Sequence, residues 1–261
     1  MSAIFTRDGD AFVPSGHARG PWDGDSLHGG APAALIARAV ERLESPGPML
    51  LARLTIEFLG AVPLAPLEVR AETVRPGRRL QLAEASVLAG GKEVCRARAV
   101  RLRREAVEVP AHTIPGPRLT PPDDLESWQM WTPAHGHDEG FAQTAMELRF
   151  ASGHFDVRGP TTAWFRLTMP LVEGEEPTPV QRAAAAADFG NGVAAELTFE
   201  QHLFVNTDLT MHLSREPAGE WIAVEAVTEH GPEGTALASS TLHDERGPIG
   251  RAAQSLFVAA R

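Results

Sequence analysis

The two halves of this chain repeat one another. At an offset of 155 residues (209 − 54), Leu54-Thr55 falls on Leu209-Thr210 and Leu82-Ala83 falls on Leu237-Ala238 without a gap. The other identities in this window are Val69 on Val224, Ala71 on Ala226, Thr73 on Thr228 and Arg96-Ala97 on Arg251-Ala252. Because the apolar positions also keep the same phase over about 50 residues, we interpret the pattern as the duplication of one structural unit.

Each copy is predicted to contain one helix followed by a series of strands. An Ala-rich helical segment comes first, and alternating apolar and polar residues with Gly and Pro turns follow it. The predicted helices are 30–43 and 179–189; the predicted strands are 53–59, 67–74, 80–88 and 93–102, then 208–213, 221–228, 236–243 and 250–258. Short connections imply antiparallel strands with one face on a helix. The expected class is α+β, with each sheet wrapped around its own helix.

The repeats set the expected domain boundaries. We predict a first repeat at 1–108, a Pro-rich linker at 109–139 and a second repeat at 140–261. The linker carries six prolines between 110 and 133, which favour an extended segment. His135, His137, Asp138 and Glu139 lie close together there, but no periodic element would hold them as ligands. No metal site and no cofactor are predicted.

Charge and cysteine content narrow the range of partners. The formal net charge of −10 argues against a nucleic-acid partner, and the basic run Arg96–Arg104 alternates as the solvent face of a strand does. No apolar stretch reaches the length of a membrane span, and the N-terminus lacks the apolar core of a signal peptide. The single cysteine, Cys95, has apolar neighbours and is expected to be a buried structural thiol. A cytoplasmic location is the simplest expectation.

The segment His28-Gly29-Gly30 opens the first predicted helix. Glycines there would let a ligand approach the free backbone N–H groups of the first turn, where an oxyanion could be stabilised. Equally, His28 could be a polar turn residue, with the glycines only permitting a sharp entry into the helix. The residues alone leave both interpretations open.

His-Gly-Gly at the start of a central helix resembles the hotdog-fold thioesterases. Nearly the whole chain resembles their fused members with a double hotdog fold, the TesB-like acyl-CoA thioesterases. The resemblance is strongest at three segments of the second copy: Ala187-Asp188-Phe189, Asn206-Thr207-Asp208-Leu209-Thr210-Met211-His212-Leu213 and Arg251-Ala252-Ala253-Gln254.

The resemblance implies a catalytic trio of Asp188, Asn206 and Gln254. Asp188 would be the base that takes a proton from water, and the two amides would orient that water. Asn206 stands where the family's type member has threonine. The offset places Ala99 opposite Gln254 and Leu51 opposite Asn206, so the first copy lacks both amides. We therefore expect one active site per chain, with His28, Gly29 and Gly30 as a substrate-binding wall.

The function that the resemblance implies is hydrolysis of an acyl-CoA thioester to the free acid and coenzyme A. Two alternatives are weighed against it. An enoyl-CoA hydratase of the hotdog type is disfavoured because Asp188 is followed by Phe-Gly-Asn-Gly-Val, without the histidine that hydratases carry about five residues later. A non-catalytic module that binds acyl-CoA or an acyl carrier would tolerate the loss of Asp188. A homodimer is left open, and neither chain length nor head group of the substrate is predicted.

Overall fold

The structure, a computed structural model, describes residues 2–110, 119–129 and 139–261. The helices are α1 (Gly30–Glu41), α2 (Pro179–Ala187) and α3 (Gly190–Val193). The strands are β1 (Phe5–Asp8), β2 (Ala11–Pro14), β3 (Met49–Phe58), β4 (Leu67–Arg75), β5 (Leu80–Ala89), β6 (Lys92–Arg103), β7 (Met146–His154), β8 (Val157–Leu167), β9 (His202–Asn206), β10 (Asp208–Leu213), β11 (Ile222–His230), β12 (Thr235–Asp244) and β13 (Gly247–Ala260).

All of these strands belong to one sheet. The order of its strands is β1-β2-β4-β5-β6-β3-β10-β13-β12-β11-β8-β7, and β9 pairs with β13 beside this path. Every pairing between these strands is antiparallel. The helices α1 and α2 pack on each other and on the sheet, and the main core lies between the helices and the sheet. This is the double hotdog architecture predicted from the sequence.

The register of the strands confirms the repeat. Val69 pairs with Val87 in the first copy, and 155 residues later Val224 pairs with Leu242. The copies meet through β3 and β10, where Thr55 pairs with its own equivalent, Thr210. The two threonine hydroxyls lie 3.3 Å apart. Equivalent residues that pair with each other define a local two-fold axis between the halves.

Ion pairs and hydrogen bonds join the ends of α1 and α2. Arg38 makes two hydrogen bonds of 2.6 Å with Glu175, in the segment that leads into α2. Glu41 accepts hydrogen bonds from Thr178, at 2.7 Å, and from Gln181, at 2.9 Å. Burial raises the pKa of Glu41, and these two donors oppose that rise. Polar groups thus fix how the helix of one copy lies against the helix of the other.

The predicted segments are confirmed, with a few additions. The helices and strands predicted in both copies are present with ends that differ by a few residues. The hairpins β1–β2 and β7–β8 were not predicted. The division of the chain at 108/109 and 139/140 stays a prediction. Of the linker, residues 119–129 pack on the sheet, where the carbonyl of Thr120 accepts a hydrogen bond of 2.9 Å from Trp164. His135, His137 and Asp138 lie outside the described residues.

The solvent-face interpretation of Arg96–Arg104 is wrong for one arginine. Arg96 and Arg98 are exposed on β6, as expected. Arg101 falls on the opposite face of the strand and is buried, because it lies three positions after Arg98 and successive side chains alternate between the faces. Its guanidinium donates to the Leu43 carbonyl at 3.0 Å and to Gln81 at 2.9 Å. None of the described helices has the length and apolarity needed to cross a bilayer.

Candidate active site

The three residues of the predicted trio lie together. Asp188 follows the last residue of α2, and its side chain is only 4% exposed. Its Oδ1 accepts a hydrogen bond of 2.7 Å from Asn206 Nδ2 and one of 3.1 Å from Gln254 Nε2. Gln254 Nε2 also lies 3.2 Å from the Asp188 carbonyl oxygen. Both amides therefore act as donors to the carboxylate.

The repeat explains how the strands deliver these amides. In the first copy, β3 is one strand with a register shift at Ala52. The equivalent residue, Thr207, separates β9 from β10 in the second copy. Asn206 is the last residue of β9, and Gln254 lies in the middle of β13 opposite Ala238. Both side chains face inward toward the junction of α2 and α3, where Asp188 lies.

His28 contacts the other oxygen of the carboxylate. Its Nδ1 lies 3.0 Å from Asp188 Oδ2 and also 3.1 Å from the backbone N–H of Gly30. The imidazole packs against both Phe141 and Phe189, with ring centroids 5.0 Å and 4.5 Å away. A histidine ring nitrogen donates a hydrogen bond when it carries a proton and accepts one when it does not. A protonated Nδ1 therefore donates to Asp188, whereas a bare Nδ1 accepts from Gly30 or from a protonated carboxyl group.

The two glycines of the His-Gly-Gly segment serve different contacts. A Cβ atom on Gly29 would lie 2.8 Å from Oδ2 and 2.9 Å from Oδ1 of Asp188. Gly29 is therefore required for the carboxylate to come this close. A Cβ on Gly30 would lie 2.5 Å from the Ala185 carbonyl oxygen of α2 and 2.9 Å from the ring of Phe141. Gly30 thus lies where the two helices pack, and its predicted contact with substrate stays a prediction.

A cavity of about 370 Å³ opens beside Asp188. This volume is within the range of ligand pockets in proteins. Both copies contribute to its mostly apolar wall. The first copy supplies Gly20, Pro21, Trp22, Asp23, Ser26, Leu27, His28, Gly29 and Phe58 to Val62, and the second supplies Asp188, Asn191, Gly192, Phe199, Val205, Asn206 and Thr207. The ring of Trp22 packs on Phe199 and Phe204, with centroids 5.0 Å and 4.9 Å away.

Asn191 is a residue of this site that the sequence interpretation missed. It lies on the further helical turn α3, which follows α2 and the step at Asp188. The backbone N–H of Asn191 donates to Gln254 Oε1 at 3.1 Å. This contact fixes the orientation of the Gln254 amide, so its Nε2 must face Asp188. No pattern in the sequence indicates this bond, because it joins residues far apart in the chain.

Other candidate residues lie outside the site. Asp208 Oδ1 accepts a hydrogen bond of 2.7 Å from the backbone N–H of Ser255, which is a structural contact. Trp164 and Trp221 are buried in a separate small cluster with Ala223 and do not line the cavity. Cys95 is fully buried, and this burial, with the charge of Asp188, raises the pKa of its thiol to about 12. Its predicted structural role is confirmed.

Two family sequence models match the chain in succession. Residues 18–102 match the acyl-CoA thioesterase N-terminal domain, and residues 119–258 match the acyl-CoA thioesterase C-terminal domain. No curated protein sequence matches.

Solved structures share the fold over nearly the whole chain. A protein with a hot dog fold from Alicyclobacillus acidocaldarius superposes with a TM-score of 0.73 at 19% identity, over 98% of this chain and 96% of that chain. The TesB protein of Mycobacterium avium subspecies paratuberculosis gives a TM-score of 0.67 at 14% identity, over 98% and 95%. The acyl-CoA thioesterase II TesB2 of Mycobacterium marinum gives 0.62 at 15% identity, over 90% of each chain.

Proposed function

Because this chain belongs to the acyl-CoA thioesterase family and is a thioester hydrolase, we propose that Asp188 is the general base of its hydrolytic reaction. The observation that supports this most strongly is the environment of the carboxylate. It is nearly buried, it receives two amide hydrogen bonds on Oδ1, and it borders an apolar cavity large enough for an acyl group. A carboxylate held in this way is oriented before the substrate arrives.

The reaction begins with a water molecule between Asp188 and the thioester carbonyl carbon. Oδ2 has two acceptor positions, of which one faces His28, so the other is free to take a proton from the water. The water oxygen attacks the carbonyl carbon as Asp188 takes this proton. The C–S bond then breaks, and the proton passes to the departing sulfur, which gives a free acid and the thiol of coenzyme A. Asn206 and Gln254 keep Oδ1 fixed throughout.

His28 stabilises the base rather than only lining the substrate wall. Its ring is held by two phenylalanines, so its Nδ1 keeps its position beside Oδ2. When it is protonated it stabilises the carboxylate, and when it is bare it can accept the proton that the carboxyl group carries after water attack. The prediction that His28 contributes to the site is thereby extended to the chemistry itself.

Direct attack by water follows from the nucleophiles that surround the cavity. Cys95 is buried, and its high pKa keeps the thiol protonated at neutral pH. Among the described residues, the cavity wall also offers the hydroxyls of Ser26 and Thr207, and neither is hydrogen-bonded to a histidine. Of the two carboxylates in the wall, Asp23 and Asp188, we assign Asp188 the role of base rather than of nucleophile. The family matches describe thioesterases, so the hydratase and the non-catalytic binding module are not retained.

Hydrolysis of a panel of acyl-CoA esters of increasing chain length, followed by release of free thiol at neutral pH, tests the proposal. Intact-mass spectrometry during turnover should show the unmodified chain, because no acyl-enzyme forms. A mass increase equal to the acyl group would contradict direct water attack. The acyl-CoA ester with the highest kcat/KM also shows which acyl chain length the cavity accepts best.

The setting of the activity is part of the same proposal. We propose a cytoplasmic enzyme of lipid metabolism that acts on coenzyme A esters rather than on an acyl carrier. Its single thiol is buried and forms no disulfide, which suits a reducing compartment.

A homodimer is proposed from the exposed apolar side chains of Leu237 and Phe257 on neighbouring strands of the outer sheet face. Sedimentation of the purified chain would give its mass in solution.

A further inference from the structure

Asn191 connects three separate elements of the active site. Its backbone N–H donates to Gln254 on β13, and its side-chain Nδ2 donates to the Phe204 carbonyl on β9 at 3.1 Å. The residue itself lies on α3, which begins two residues after Asp188. It is only 5% exposed. The helical turn after the base is therefore tied to both strands that carry the amides.

The contact with Phe204 occupies a position that a strand would otherwise fill. Among the described strands, β9 pairs only with β13, so its other edge has no strand partner. An unpaired backbone carbonyl in a buried setting costs free energy, and a side-chain donor removes that cost. Asn191 supplies this donor to Phe204, which lies two residues before Asn206 in the chain. It thereby fixes the end of β9, from which Asn206 reaches Asp188.

Packing alone does not account for an asparagine here. The Oδ1 atom of Asn191 is buried and has no hydrogen-bond partner among the described residues. An apolar side chain of similar size would avoid that cost. The neighbouring Gly190 shows how closely α3 approaches β12 and β13, since a Cβ there would lie 2.5 Å from Ser240 Oγ and 3.2 Å from Gln254 Oε1. The amide of Asn191 is thus explained by the bond that its Nδ2 makes.

We propose that Asn191 is a positioning residue for the hydrolysis, which holds Asn206 and Gln254 in place as the two donors to Asp188 Oδ1. This inference depends on the proposed role of Asp188 as the base. Asn191 does not touch the reacting atoms. It acts through the side chain of Asn206, because it holds the strand, and through the orientation of the Gln254 amide, because its N–H occupies Oε1.

The test compares Asn191→Ala and Asn191→Leu with the wild-type chain. Both changes remove the donor to Phe204, and the leucine keeps roughly the size of the side chain without adding a charge. We expect kcat to fall roughly ten- to a hundredfold while KM changes little, because a displacement of about 1 Å in a catalytic group has an effect of this size. If Asn191→Ala does not fold, Asn191→Leu carries the test. A folded variant with unchanged kcat would overturn the proposal.

A double-mutant cycle separates positioning from simple loss of stability. In the Asn206→Ala background, Asn191→Ala should lower kcat by less than about threefold further, because residues that act as a unit are not additive. Losses that multiply would overturn the proposal. Thr228→Val is the matched control, since Thr228 is also buried and its hydroxyl has no partner among the described residues. It should leave kcat unchanged.

The same experiments distinguish the two levels of inference. Full activity in Asp188→Asn would refute the proposed base, whatever the Asn191 variants do. Loss of activity in Asp188→Asn, together with wild-type kcat in folded Asn191 variants, would refute only the positioning role.

Discussion

Replacement of Asp188 by asparagine is the most direct perturbation of the proposed mechanism. The asparagine keeps the shape of the side chain, and its Oδ1 can still accept from Asn206 and Gln254. Its Nδ2 then occupies the position of Oδ2, 3.0 Å from His28 Nδ1, to which it can donate. Every hydrogen bond of the carboxylate therefore has a counterpart in the variant. The fold and the cavity should persist, and only the base is removed.

The expected loss is about 10²- to 10⁴-fold in kcat with little change in KM. In free energy this corresponds to roughly 3 to 5 kcal/mol of transition-state stabilisation. The assay is release of free thiol from an acyl-CoA ester, with thermal unfolding and binding of a non-hydrolysable analogue measured on the same sample. Asp208→Asn is the matched control, because Asp208 binds the Ser255 backbone N–H rather than the candidate site, and an asparagine oxygen can still accept there. A kcat within about threefold of wild type in Asp188→Asn would refute the reasoning.

Three further predictions follow from contacts described above. Gln254→Ala should lower kcat about 10²-fold, whereas Ala99→Gln should not create a second active site. Titration with a non-hydrolysable acyl-CoA analogue should give one binding site per chain, and two binding sites per chain would refute the single-site prediction. The Cys95 thiol should resist labelling at pH 8 in the folded chain and react at once in denaturant; rapid labelling of native protein would contradict its burial. Hydrogen bonds from Arg38 hold the pKa of Glu175 below its usual range. The ion pair therefore stabilises the fold at a pH above the usual pKa of a glutamate, and this stabilisation is lost as the pH falls and Glu175 becomes protonated. Glu175→Gln should therefore reduce the free energy of unfolding by about 1 to 3 kcal/mol at pH 7, and urea titrations should show this difference shrinking below about pH 4; a constant difference would contradict the ion pair.

The sequence predicted the fold because its two strongest signals are local and periodic. Alternation and turn residues define each strand, and the offset of 155 residues requires the second copy to pair as the first does. The hairpin β7–β8 was missed because its alternation is interrupted, with register shifts at Ala151 and Gly153. Arg101 was misplaced because its charge was given more weight than its phase on the strand.

The site was predicted in part. Resemblance to a family suggested Asp188, Asn206 and Gln254, and the structure places both amides within hydrogen-bond distance of Asp188. Their bonding differs from the expectation, because the amides donate to the carboxylate and Asn191 fixes one of them. Such contacts depend on the approach of α3 to two distant strands. No spacing along the chain encodes that approach, so it could not be inferred from the residues alone.

The pairing of Thr55 with Thr210 has a consequence for how this enzyme can change over time. If two identical chains met at such an axis, each substitution would occur at both sites at once, and a residue could not improve binding in one place without altering chemistry in the other. Here the symmetric positions are encoded separately. The wall from Trp22 to Leu27 and from Phe58 to Val62 can therefore adapt to a new acyl group while His28, Gly29 and the strands that carry Asn206 and Gln254 stay as they are. Substitutions in this part of the wall can accordingly be selected separately from substitutions in the hydrolytic site.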